Sequence, residues 1–221
     1  MNTASHGEPD ARLVAALVSA DPATRLRSAL EAGTLADVRL TTILVGRCGV
    51  EPDFFVRDML TWALCRLPAD VTVPRLLEEL GSGSAQARSQ ALHTLSKIGD
   101  RKAWPAVSAM LHDGDDDVAR SAWRAAVTLV PAGSEGRLAA ALGTALGRGD
   151  HDLQLSLSRA LAMLDEAATP VLEAAMVSSD PGVRAHAEAT ERLRLDPDSG
   201  FTLSLELAKR VAATAPDREV T

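Results

Sequence analysis

The chain has 221 residues, 46% of them apolar and 24% charged, with 30 acidic against 23 basic side chains and a net charge of -7. That balance excludes a protein that coats nucleic acid or anionic membrane without selectivity, because such binding runs on clustered Lys and Arg. Only 3% of the residues are aromatic, none is Tyr, and Ala is abundant throughout, which favours closely packed helices over a β-sandwich.

The segment from Met1 to Arg12 is polar and lacks an apolar core, and no run of about 18 apolar residues occurs. Neither a signal peptide nor a membrane span is therefore expected, and a cytoplasmic chain with two reduced cysteines is the simplest reading. Residues 1–8 are expected to be flexible. A short first helix is predicted from Asp10 to Ala20, and Asp21-Pro22 then opens a second helix over 22–32. Cys48 closes the next first helix, and Glu51-Pro52 opens a second helix over 52–66 that ends near Cys65. Arg75 to Leu80 forms another first helix, followed through Ser82-Gly83-Ser84 by a second helix over 84–98. Ala106 to Leu111 leads through Asp115-Asp116-Asp117 into 116–129. Asp150-His151-Asp152 opens 151–164, and Val171 to Met176 leads through Asp180-Pro181 into 181–194. The turn residues carry the argument: Asp or Ser before a helix accepts from an orphan amide, and Pro at the first helical position has no amide to orphan. Apolar residues at three- and four-residue steps mark the half-buried helices between them. Residues 196–214 follow, with Phe201, Leu203, Leu205, Leu207 and Val211 against Glu206, Lys209 and Arg210, and read as a C-terminal capping helix. Residues 215–221 read as a disordered tail.

The same phase recurs along the chain. Arg25, Arg57, Arg88, Arg120, Gln154 and Arg184 follow one another at steps of 30 to 34 residues, each just inside a second helix, and Pro74, Pro105 and Pro170 mark the same period in the first helices. A helical hairpin of this length cannot bury its apolar stripe alone, so successive hairpins must stack. Glu51-Pro52-Asp53-Phe54-Phe55-Val56-Arg57 and Asp180-Pro181-Gly182-Val183-Arg184 resemble the opening of the second helix in HEAT repeats. The resemblance covers residues 9–195 and extends, from Gln86 to Asp100 and at Trp104-Pro105, to stand-alone HEAT-repeat proteins of actinobacterial type. It implies an all-α, right-handed α-solenoid of about six HEAT-like hairpins with scaffolding as its general role. Gln154 departs from the Arg position.

The ladder Arg25, Arg57, Arg88, Arg120 and Arg184 is read as structural: each Arg near a helix start needs an anionic partner against the helix dipole, and the resemblance implies the turn Asp of a neighbouring unit. Helical phase places Phe55, Trp62, Gln90, His93, Arg124, Arg159 and Glu188 on a concave groove of second helices, where aromatics anchor a protein partner and polar groups select it. Adjacent Phe54 and Phe55 cannot share one narrow stripe, so one is expected to pack and the other to meet a neighbour or partner. Trp62 and Trp123 fall at different phases. His93 and His186 are expected at the surface or in the groove, and Cys48 and Cys65 in the core, too far apart for a disulfide.

The acidic run from Asp113 to Asp117 with His112 lacks the order of a calcium loop and is explained as a capping turn, and the histidines have no ligand-pair spacing, so no metal or cofactor is expected. Phosphate-binding glycine loops and a Gly-x-Ser-x-Gly nucleophile motif are missing, which points away from an enzyme. The alternative to a protein scaffold is a nucleic-acid-binding protein, repair-associated, with an arginine-lined groove. Alkylpurine DNA glycosylases of HEAT-like fold are superficially matched in residue type by Asp58, Trp62, Trp123 and Arg88, and HEAT-like bilin lyase subunits stand as a third class.

Overall fold

A computed structural model describes residues 8–196; the flexible start expected over 1–8, except its last residue, and the capping helix and tail expected beyond Asp196 lie outside the described residues. Among the described residues the secondary structure is entirely helical, in twelve α-helices joined by turns and three short 3-10 segments. The chain divides between Val107 and Ser108 into two compact units.

The first unit runs through α1 (Ala11–Leu17), α2 (Pro22–Leu35), α3 (Thr41–Cys48), α4 (Phe54–Cys65), α5 (Ala69–Glu79) and α6 (Ala85–Ile98), and α7 (Trp104–Ala109) crosses its end. Within it the second helix of each pair packs on the next, α2 on α4 and α4 on α6, while α3 packs on α5. The second unit holds α8 (Asp116–Leu129), α9 (Glu135–Gly143), α10 (His151–Ala162), α11 (Thr169–Met176) and α12 (Pro181–Leu195), with α8 on α10, α10 on α12 and α9 on α11. Each unit is thus a stack of helix pairs.

The second helices begin where the turn chemistry places them. Asp21, Asp53, Ser84, Asp115, Asp150 and Asp180 each accept from backbone amides two or three residues ahead, and Pro22 and Pro181 occupy first-turn positions. Among the second-helix starts, the largest difference from the sequence expectation is in α4. The cap of α4 is Asp53, so that helix starts at Phe54, and Glu51 is fully buried instead of capping it. Pro74 also lies inside α5, because there the preceding turn continues as α-helix. Before α3, α7 and α11 the corresponding segments, Val38–Leu40, Arg101–Ala103 and Asp165–Ala168, are 3-10 turns.

Alanine makes the close packing. In the first unit Ala29, Ala32, Ala63 and Ala91 are buried among Leu44, Leu60, Leu64, Leu92 and Leu95. In the second Ala119, Ala122, Ala126 and Ala139 are buried, as are Leu129, Leu138, Leu157, Leu161 and Trp123. Each fully buried Leu contributes about 2 kcal/mol relative to exposure. Trp123 is a core residue, 1% exposed, and its indole N–H donates to the Leu111 carbonyl at 2.9 Å.

Candidate functional site

The recurrent arginines are consumed by the turns that precede their own helices. Arg25 Nη1 donates to the carbonyls of Ser19 (2.8 Å) and Ala20 (3.0 Å), and Arg57 Nη1 to those of Glu51 and Pro52, both at 2.8 Å. Arg88 reaches the Ser82 carbonyl at 2.9 Å and Arg184 that of Ser178 at 2.6 Å. Gln154 makes a weaker version, donating to the Gly149 carbonyl at 3.2 Å. The expected pairing with an acid of a neighbouring turn is met at Arg25, which holds Glu51; at Arg57 and Arg184 the turn acids Asp53 and Asp180 accept from helix amides, and the guanidinium takes orphan carbonyls of its own turn. The Arg25–Glu51 pair is bidentate, through Nε and Nη2.

Arg120 departs from the series. The carbonyls its helix would offer, those of Asp113 and Gly114, receive Arg148 Nη2 at 2.8 and 3.3 Å, and Arg148 also bonds the Asp116 carboxylate. The Nε of Arg120 is buried without a hydrogen-bond partner, and its Nη1 lies 3.7 Å from Asp117.

In the first unit α4 turns apolar surface outward. Phe54 is 65% exposed, Phe55 71% and Trp62 39%, while Val56, Leu60 and Leu64 fill the core side of the same helix. Both phenylalanines therefore face solvent, correcting the expectation that one packs: the helix begins at Phe54, and Val56 is the first of its residues to reach the core. Their rings meet edge to face at 5.6 Å. The Trp62 ring lies over Gly33 of α2, and the Arg66 guanidinium carbon is 6.0 Å from its ring centroid. On α6, Gln90 and His93 are half-buried.

In the second unit Arg124 on α8 and Arg159 on α10 are exposed, and among the described residues neither guanidinium makes a hydrogen bond or ion pair. Partial desolvation and the charges of Arg120 and Arg159 hold Arg124 below the ordinary guanidinium range. Glu188 on α12 is half-buried and lies 3.6 Å from Arg192. Phe55, Trp62, Gln90 and His93 thus belong to one unit, and Arg124, Arg159 and Glu188 to the other.

Two buried features escaped the sequence reading. Glu51 accepts from Arg25, from Arg47 at 2.7 Å and from the Asp53 amide at 3.1 Å. Burial alone would push its carboxyl up, but those donors outweigh it and hold the carboxyl below the usual range. His186, expected at the surface, is completely buried. Its Nδ1 accepts from the Gly147 amide at 3.0 Å, and its Nε2 lies 3.0 Å from both the Gln154 carbonyl and Ser158 Oγ, which meets Thr190 Oγ1 at 2.7 Å. Burial lowers its pKa to about 4, so the ring is neutral. Periodicity showed only a polar residue on a second helix; the Gly147 amide that draws it inward belongs to a distant turn.

Cys48 is buried and its thiol is pushed up to about 12 by that burial, whereas Cys65 is exposed, not in the core as its place at a helix end suggested. Among the described residues no group of three His, Cys, Asp or Glu is placed to hold a metal ion, and no helix is long and apolar enough to cross a membrane.

Residues 51–128 match the family described as HEAT repeats. Karyopherin Kap121p, in a structure bound to the extreme C-terminus of the protein phosphatase Cdc14p, is similar with a TM-score of 0.57 and 18% identity over 89% of this chain and 25% of the karyopherin. The complex of CpcE and CpcF of phycocyanin lyase from Nostoc sp. PCC7120 has a TM-score of 0.49 and 16% identity, covering 97% of this chain and 92% of that one. Human deoxyhypusine hydroxylase in complex with glycerol has a TM-score of 0.46 and 17% identity, covering 92% and 96%. A comparison with curated proteins finds no match. The fold is an all-α solenoid of HEAT-repeat type.

Proposed function

We propose that this HEAT-repeat solenoid is a noncatalytic, cytoplasmic scaffold that binds a protein partner along its second helices. The exposed face of α4 carries the reading. Phe54 and Phe55 stand in solvent and Trp62 is partly exposed on a helix whose core side is already filled, and exposed aromatics supply the desolvated anchors of protein interfaces. The polar positions Gln90, His93, Arg124, Arg159 and Glu188 then select among partners. In Kap121p a fold of this kind is bound to a terminal segment of another protein, so stacked helix pairs are able to hold a chain segment.

The second reading is nucleic-acid binding, favoured by the positive group Arg120, Arg124 and Arg159. The net charge and the ladder arginines already committed to turn carbonyls weigh against it. Affinity capture of the tagged chain from its native lysate, with and without nuclease, separates the two. A stoichiometric protein that survives nuclease and is lost with Phe55→Ala and Trp62→Ala supports the scaffold. Recovery of nucleic acid, with proteins that vanish on nuclease treatment, overturns it. Full partner affinity after charge reversal at both Arg124 and Arg159 removes those two residues from the binding face.

A further inference from the structure

We propose that Arg120, Arg124 and Arg159 form a receptor for an acidic segment of the protein partner, an assignment that rests on the scaffold reading and names the chemistry of what the second unit holds. The first support is the broken register of the arginine ladder. In α2, α4, α6 and α12 the recurrent Arg is spent on the carbonyls of its own turn. In α8 those carbonyls are taken by Arg148, and Arg120 is released with a buried Nε that has no acceptor. Its end is the accessible part: Nη1 meets the mostly exposed Asp117 only at 3.7 Å, so the guanidinium keeps donors for an incoming carboxylate.

The second support is placement. Arg124 lies one helical turn beyond Arg120 on α8, and Arg159 lies on α10, which packs against α8. Both Arg120 and Arg159 bear electrostatically on Arg124. Gathering like charges on a chain of net charge -7, with two of them facing solvent and engaging no described acid, favours an anionic occupant. Guanidinium forks match the planar, two-oxygen face of a carboxylate.

A protein segment fits better than nucleic acid. Tracking a phosphate backbone needs a row of free cations. Here Arg184 and Arg148 are bound to carbonyls, and the exposed Asp117 lies beside Arg120. Three guanidinium groups on two packed helices suit one or two carboxylates.

The test is a fluorescence-anisotropy titration of the full chain with a labelled oligoglutamate peptide and, separately, with a single-stranded oligothymidylate of equal charge, at about 150 mM salt. Saturable binding of the peptide is expected, weakened about tenfold by Arg124→Glu with Arg159→Glu and less by the double Lys variant, which keeps charge but loses the fork. Arg101→Glu, on the 3-10 turn before α7, is the control and should leave binding unchanged. Absence of peptide binding, or binding indifferent to the charge reversal, overturns the proposal. Tighter binding of the oligonucleotide that is lost on reversal overturns it in favour of nucleic acid. In the lysate capture, a nuclease-resistant partner held equally by wild type and the Glu variant overturns the acidic-segment assignment while leaving the scaffold reading standing.

Discussion

Arg25 grips Glu51 through two nitrogens, Nη2 at 2.7 Å and Nε at 2.8 Å, in a pair that is 7% and 0% exposed. The pair joins the second helix of one repeat to the turn of the next, and Arg47 and the Asp53 amide complete the shell around the carboxylate. Glu51 also feeds the packing through its backbone, because its carbonyl accepts from Arg57 and from Gln86 of α6, both at 2.8 Å. One residue therefore ties three second helices together within the first unit.

Removing the Glu51 side chain leaves buried cations without a counterion. Glu51→Ala should cost about 3 kcal/mol, against about 1 kcal/mol for Asp53→Ala, which removes a helix cap. Because the folded carboxyl is held below its ordinary value of 4.5, the contribution is fully present above that pH and is lost as pH falls through the folded value. Urea unfolding of wild type and Glu51→Gln at neutral pH and at about pH 3 checks this; the gap between them should narrow in acid.

His186 predicts the opposite end of a titration. Its pKa falls from 6.5 unfolded to about 4 folded, so the unfolded chain binds the extra proton and stability declines as pH drops below 6.5. Between neutral pH and pH 5 the loss should be on the order of 2 kcal/mol. His186→Asn offers an oxygen to the Gly147 amide without titrating. It should flatten the pH dependence of Tm in that window, and an equal slope in both proteins would remove His186 as its source.

The repeat phase, the caps and the helix order were legible in the sequence because each rests on local chemistry. An Asp or Ser can be recognised as a cap from its neighbours, and Arg57 or Arg184 from its spacing. What the arginines bind was not legible, since the choice between a turn Asp and a turn carbonyl depends on whether the Asp is already occupied by amides. The candidate face was half legible. Arg124, Arg159 and Trp62 emerge from helical phase, but the outward turn of both Phe54 and Phe55 depends on the helix starting at Phe54, and the release of Arg120 depends on Arg148, in the turn before the next second helix.

Gly33 is a position where the usual helix rule should reverse. Alanine in place of a mid-helix glycine commonly gains about 1 kcal/mol. A Cβ there would overlap Trp62 Cζ3, lie 2.7 Å from Cε3 of the same ring and 2.9 Å from the Ala63 backbone. The ring can swing into solvent, but Ala63 Cα belongs to α4 itself, so α2 and α4 must separate. Gly33→Ala should lose about 2 kcal/mol and move the indole N–H resonance of Trp62. Unchanged stability with an unmoved resonance would show that the helices are not in contact there.

The exchange of Arg120 for Arg148 predicts an inverted order of stabilities. If the Asp113 and Gly114 carbonyls are held by Arg148, then Arg148→Met strips that turn of its donor and of the pair with Asp116. Such a loss should cost about 1 to 2 kcal/mol. Arg88→Met should cost a similar amount, because it removes the donor of the Ser82 carbonyl. Arg120→Met removes a group whose Nε has no acceptor and whose nearest carboxylate, Asp117, is mostly exposed, so it should be neutral or slightly stabilising. Thermal unfolding of the three variants compares them directly. Equal losses at Arg120 and Arg88 would mean that Arg120 supports its turn like the rest of the ladder, and that its guanidinium is not available for a ligand.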